Sequence, residues 1–242
     1  MIWWLNINIV ITGASSGIGR ALSKEFCKED NNRVLGIGRN SESLNEIKKT
    51  YSDCFDYLVL DLSRVENIRL IVTEVAVRFD ALDILVNNAG YGLYKGLLEV
   101  DINEMINMTL VNFIVPLALI KELQSFMRRG STVVNIITAG IHVLMTKLPL
   151  YGATKIALHY ASEALRRELE SKNINLVNVY PGLVKTSFHA RAGVSEIKSG
   201  LTPEEVARHI IKSIKSRKKR VYIPGYLRVA QVLFGPHLLA LH

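Results

Sequence analysis

Along this 242-residue chain, short apolar runs alternate with stretches of helical period almost from end to end. That alternation constrains the fold more than any single residue does. INIVIT (7–12), RVLGIG (33–38), FDYLVLDL (55–62), LDILVNN (82–88), STVVNIIT (131–138) and INLVNVY (174–180) read as strands, with RVYIPG (220–225) as a short last one. Helical spacing fills the intervals at 18–29, 41–51, 65–79, 103–128, 150–171 and 203–215. Several strand runs are apolar at successive positions, which fits burial on both faces. Strand–helix units joined by about 2–6 residues build a parallel sheet with helices on both faces. Ser41 is the expected cap of the second helix, and Thr202 with Pro203 opens the last. No repeat or low-complexity linker divides the chain, so residues 1–242 are expected to form one doubly wound α/β domain.

Composition narrows the setting. Hydrophobic residues make up 49% and charged residues 21%, an ordinary globular balance. MIWWLNINIVITG lacks a basic start and a cleavage site and reads as a first strand. No uninterrupted apolar run approaches the roughly 20 residues of a membrane span. Cys27 and Cys54 do not read as a disulfide framework, so a reduced, cytoplasmic setting is expected. The net charge of +8 points to anionic partners. Its densest cluster, KSRKKR (215–220), reads as a solvated helix end, where the helix dipole favours cations. Nucleic acid is not expected, because no aromatic interleaving accompanies the charge.

TGASSGIG (12–19) joins the first strand to the first helix. Gly13, Gly17 and Gly19 permit a tight turn and close approach of a ligand to the backbone. The helix behind offers free N–H groups and a positive dipole end to a pyrophosphate, at the strand end where such sheets bind ligands. The expected fold is therefore a Rossmann-type doubly wound parallel sheet that holds a dinucleotide. The second strand ends in Gly38, where an acidic residue would bond a ribose 2′-hydroxyl. Arg39 follows and can fork onto a phosphate instead. NADP(H) is thus expected over NAD(H).

These motifs, with NNAG (87–90), Asn112 in the long helix, YGATK (151–155) and PGLVKT (181–186), resemble the short-chain dehydrogenases/reductases over nearly the whole chain. The resemblance implies an enzyme that interconverts a ketone or aldehyde and an alcohol by hydride transfer. It implies a catalytic set of Asn112, Thr138, Tyr151 and Lys155. Tyr151 and Lys155, four apart on a helix, share one face, and the ammonium is expected to lower the phenol toward neutral pH for proton transfer. Thr138 stands where the family usually carries Ser, in NIIT (135–138), and keeps the hydroxyl while adding a methyl that stiffens its rotamer. Pro116 removes the N–H that would bond the Asn112 carbonyl, leaving that carbonyl free for a water.

Cofactor contacts also follow from the resemblance. Ser15, Ser16 and Ile18 belong to the pyrophosphate turn, and Asp61 and Leu62 to the adenine side, although Asp61 has the alternative of capping its own turn. Asn87, Asn88, Ala89 and Gly90 are assigned to the ribose side. Pro181, Gly182, Val184 and Thr186 are assigned to the carboxamide, beside Tyr151 and Lys155 themselves. The substrate lid is expected at about 187–201, with further walls at 139–145 and 91–94. His142 and His189 read as polar wall residues, and the spacing offers no metal site. A homodimer or homotetramer is implied, through the long helix and the Tyr151 helix. The apolar tail, about 225–242, is expected to dock on its own domain or a second subunit rather than on a membrane. The departure at Thr138 and the basic, apolar tail leave a second reading: an NADP(H)-binding regulatory or sensor protein with little catalysis.

Overall fold

The computed structural model describes residues 6–193 and 199–229. Seven strands form one sheet: β1 (Asn8–Thr12), β2 (Arg33–Gly38), β3 (Phe55–Val59), β4 (Leu82–Asn87), β5 (Met127–Ile136), β6 (Asn175–Pro181) and β7 (Arg220–Ile223), in the order β3-β2-β1-β4-β5-β6-β7. Every pairing is parallel. The helices are α1 (Gly17–Phe26), α2 (Ser41–Thr50), α3 (Glu66–Arg78), α4 (Ile102–Thr109), α5 (Val115–Leu123), α6 (Pro149–Ser171), α7 (Ser187–Arg191) and α8 (Pro203–Lys215).

The two-sided apolar strands explain the layers. In β1, Ile9 and Ile11 face a core built with Leu22 and Phe26 of α1, Leu44 and Ile47 of α2, and Ile210 of α8. Val10 between them faces the opposite core, with Ile71 and Val75 of α3 and Leu119 and Leu123 of α5. One face of each strand alone would leave half of this burial unmet. Strand order reverses between β1 and β4, which opens a crevice at their carboxyl ends.

Several boundaries differ from expectation. β3 stops at Val59, because its partner β2 ends at Gly38, where the Leu60 N–H makes the last ladder bond, and Asp61 starts a turn. β5 begins four residues early, at Met127, and its register against β4 shifts between Leu82 and Ile84. Asn40, not Ser41, caps α2 by accepting from the Ser43 N–H at 2.8 Å. Thr202 caps α8 as expected, in a reciprocal box with Glu205. The long helix is three pieces, because a π-wound segment at Leu110–Ile114 joins α4 to α5. By length and composition the helix Ile102–Phe126 is apolar enough to cross a bilayer. Here, however, Met108, Val111, Val115, Leu119 and Leu123 bury one side of it in the domain. KSRKKR is exposed throughout, as a solvated end of α8 should be; at the surface Lys215 pairs with Glu29 and Lys219 with Glu170, and Arg220 opens β7.

The cysteine expectation is overturned. Cys27, just past α1, and Cys54, just before β3, form a disulfide with their Cα atoms 5.6 Å apart. The β2–α2 excursion returns the chain beside its starting point, which the 27-residue separation does not reveal. The cysteines therefore give no ground for a reducing compartment.

Glu163 on α6 ties three elements together. It pairs with Arg166 of α6 at 2.9 Å and Arg220 of β7 at 2.6 Å, and accepts from Asn178 of β6 at 2.9 Å. Burial alone would raise its carboxyl, but the hydrogen bonds and charges of Arg220 and Arg166 outweigh that and hold it at about 2. Because the folded value lies below the ordinary 4.5, the stabilisation is complete above that pH and is lost as pH falls toward about 2. Glu163→Gln should be less stable at neutral pH and should lack this acid-dependent loss. Urea titrations of both proteins across that window check it; parallel pH curves would contradict the assignment.

Candidate active site

The glycine-rich turn forms because β1 ends in Thr12, whose hydroxyl bridges two strands. Its Oγ1 accepts from the Asn88 and Ala89 N–H groups at 3.0 and 3.1 Å and donates to the Val86 carbonyl at 3.3 Å. Gly13 and Gly17 adopt left-handed φ values of 69° and 53°. A side chain at Gly13 would also meet Asn88 at 2.8 Å and Ala89 at 2.9 Å. Gly19 serves packing rather than the ligand: a Cβ there would lie 2.3 Å from the Gly13 carbonyl oxygen.

From this turn a cavity of about 760 Å³ runs along the carboxyl ends of the strands. At one end lie Gly13, Ser15, Ser16, Gly17, Ile18, Arg39, Asp61 and Leu62; Asn88, Ala89 and Gly90 follow. At the other end are Thr138, Tyr151, Lys155, Pro181, Gly182, Val184 and Thr186. The residues expected to hold a dinucleotide thus share one cavity, apart from Gly19 and Asn87. Asn87 is buried behind the wall, where its side-chain amide donates to Asn135 at 2.9 Å. Asp61 does cap its own turn, accepting from both N–H and hydroxyl of Ser63 through Oδ1. Its carboxyl is lowered chiefly by the Ser63 N–H, with Arg39 contributing.

The catalytic candidates meet at the far end. Lys155 is buried and donates from Nζ to the Ile136 carbonyl at 2.8 Å. Burial lowers its ammonium to about 8. Tyr151 lies against it, with Nζ 5.9 Å from the ring centroid. The expected lowering of the phenol does not occur. Burial pushes Tyr151 up by more than its hydrogen bond with Thr138 brings it down. The dominant cause is burial of the ring, while Lys155 directs a donor to the Ile136 carbonyl rather than to the phenol. Thr138 lies two residues past β5 and caps the next 3₁₀ turn, accepting from the Gly140 N–H at 3.1 Å.

Asn112 does not line the cavity. Its Oδ1 accepts from the Tyr91 N–H at 3.0 Å, and its Nδ2 donates to the Tyr91 carbonyl at 2.9 Å and to Thr154 Oγ1 at 3.1 Å. Thr154 in turn donates to the Tyr151 carbonyl at 2.8 Å. Asn112 therefore links the loop after β4 to the start of α6, and Pro116 supplies no N–H to the π-wound segment that carries it. A Cβ at Gly90 would approach Asn112 Oδ1 at 3.1 Å and Lys155 Nζ at 3.3 Å, so these three positions are mutually packed.

The substrate end is lined by Tyr91, Ala139, His142, Met145, Leu148, Phe188 and Leu227, among others. The wall expected at 139–145 is present, whereas of 91–94 only Tyr91 reaches the cavity. His142 is buried and shares a 2.8 Å hydrogen bond with Tyr222. His189 lines the cavity, lowered by burial. Phe188, on the short helix α7, packs on Tyr151 with centroids 5.1 Å apart. The expected lid thus begins as a helix; 194–198 lie outside the described residues, as does the tail from 230 onward.

Fold and site together define a dinucleotide-binding α/β protein with a Tyr–Lys–Thr constellation at the end of the cleft away from the glycine turn. The short chain dehydrogenase family profile matches residues 7–196. Dehydrogenase/reductase SDR family member 7B of Xenopus laevis is 31% identical over 242 residues, covering 90% of this chain and 73% of the relative. Two solved structures share the fold. A Sphingobium yanoikuyae short-chain dehydrogenase in complex with NADPH has a TM-score of 0.82 at 22% identity, covering 91% of this chain and 89% of that one. A Burkholderia phymatum short chain dehydrogenase/reductase in complex with NAD has a TM-score of 0.86 at 18% identity, covering 96% and 94%. The chain belongs to the short-chain dehydrogenase/reductase family. It is an oxidoreductase that acts on CH–OH/C=O with a nicotinamide cofactor.

Proposed function

We propose that this enzyme is an NADP(H)-dependent reductase of a ketone or aldehyde, acting through Tyr151. The observation that carries the reading is the placing of Tyr151 and Thr138 together at one end of a cavity whose opposite end holds the glycine turn and Arg39. When bound, the nicotinamide supplies or accepts the hydride. The chain's own groups hold it and manage the proton. Ser15, Ser16, Gly17 and Ile18 offer the turn to the pyrophosphate. Arg39 takes the 2′-phosphate, Leu62 flanks the adenine, and the free oxygen of Asp61 accepts from its amino group. Asn88 to Gly90 border the ribose, and Val184 and Thr186 the carboxamide.

Tyr151 donates its proton to the carbonyl oxygen, and Thr138 gives that oxygen a second hydrogen bond. Burial keeps this phenol protonated while making it a weaker acid. Lys155 fixes the cavity floor through Ile136 and places a positive charge beside the ring. Asn112 positions Tyr151 through Thr154. The apolar substrate wall suits a medium-sized carbonyl compound. Exposed Ile102 and Ile106 on α4 and Tyr160 on α6 support a homodimer or homotetramer through these helices.

Arg39→Ala tests the cofactor assignment. Losing one exposed charge-assisted contact should weaken NADPH about tenfold and spare NADH. Equilibrium binding of both cofactors reads this out, and equal dissociation constants in the parent would refute the preference. Gly38→Asp is a poorer test, because a Cβ there would lie 2.9 Å from Ser15 Oγ and 3.0 Å from Ser15 Cβ.

A further inference from the structure

Arg191, the last residue of α7, reaches the glycine-rich turn, where its Nη1 donates to Ser16 Oγ at 3.3 Å. Arg39 borders the same end of the cavity, with Ser15, Ser16 and Asp61. The two guanidiniums sense each other: partial withdrawal from water, and then the Arg39 charge, push Arg191 down from its ordinary value. Like charges converging from separate elements repel unless an anion joins them. Asp61 offsets part of this, but its Oδ1 already serves Ser63. A phosphate monoester, doubly charged and rich in acceptors, matches two planar donor forks.

We propose that Arg191 is a second phosphate-binding cation, which grips the 2′-phosphate of NADP(H) together with Arg39 and so ties α7 to the cofactor. The proposal rests on the NADP(H) reading above. It gives α7 two ends with different tasks. Arg191 meets the phosphate, while Phe188 packs on the Tyr151 ring. Binding at the adenosine end then steadies a wall of the substrate pocket.

The test is calorimetric binding of NADPH, NADH and adenosine 2′,5′-bisphosphate to the parent and to Arg191→Gln. Hydrogen exchange across 187–193 is followed with and without the bisphosphate, which carries no nicotinamide. Arg191→Gln should weaken NADPH and the bisphosphate by about tenfold and NADH by less than about twofold. Arg191 is exposed, so the variant's thermal unfolding should match the parent's. In the parent, and not in the variant, the bisphosphate should slow exchange in α7. A parent that prefers NADPH and a variant that keeps the same preference would overturn the proposal, as would equal losses for both cofactors. Equal affinity for NADPH and NADH in the parent would instead refute the cofactor preference itself.

Discussion

Tyr151→Phe is expected to lower turnover by about 100- to 10,000-fold, the usual contribution of a positioned proton donor. The variant should bind NADPH as the parent does. Phenylalanine keeps the ring that packs on Phe188, so the pocket wall stands. Lys155 is held by the Ile136 carbonyl rather than by the phenol, so its place does not depend on the lost hydroxyl. What disappears is one O–H and the proton it carries. Single-turnover rates with a reducible carbonyl, beside cofactor dissociation constants, separate chemistry from binding. A variant with an unchanged single-turnover rate would remove Tyr151 from the mechanism.

Thr138→Val is the second large effect. A hydrogen-bond donor acting on developing charge is worth about 100- to 1,000-fold in rate at comparable sites. Valine keeps the branched shape, but it also deletes the cap that Thr138 offers the Gly140 N–H. Lost caps cost about 0.5–2 kcal/mol, so some local loosening of the 139–142 turn accompanies the loss of rate. Thr138→Ser resolves the two effects, because serine keeps both the cap and the donor. Serine should retain most of the activity, and the space of one methyl should admit bulkier carbonyls. The comparison is made on kcat for the three proteins at saturating cofactor. A valine variant within about twofold of the parent would make Thr138 a structural residue, since donors at such sites are worth far more.

Much of this was readable from local pattern. The alternation of strand and helix, the TGASSGIG turn, the Thr202–Glu205 cap and the i, i+4 placement of Tyr151 and Lys155 each depend on residues close in sequence. What escaped depends on residues that only the fold brings together. Cys27 meets Cys54 because β2 and α2 return the chain to the amino ends of the neighbouring strands β2 and β3. Thr12 holds Asn88 and Ala89 across 76 and 77 positions. Phe188 and Arg191 matter only because α7 lies over the cleft. The state of the Tyr151 phenol is hidden from the sequence for a related reason. Spacing shows that a lysine is near, but not that its ammonium donates to the Ile136 carbonyl or that burial dominates the phenol. Thr154 had a visible signal, lying one residue before Lys155 within YGATK, yet its link between Asn112 and Tyr151 appears only in three dimensions.

The most direct test of the central claim is isotope transfer. NADPH carrying deuterium at the transferable position of the nicotinamide is incubated with the enzyme and a panel of ketones and aldehydes, and the products are examined by mass spectrometry. The predicted result is an alcohol with deuterium on the former carbonyl carbon, formed by the parent and at least about 100-fold more slowly by Tyr151→Phe. Tight NADPH binding with no deuterium in any product would contradict it and would favour a cofactor-binding sensor instead.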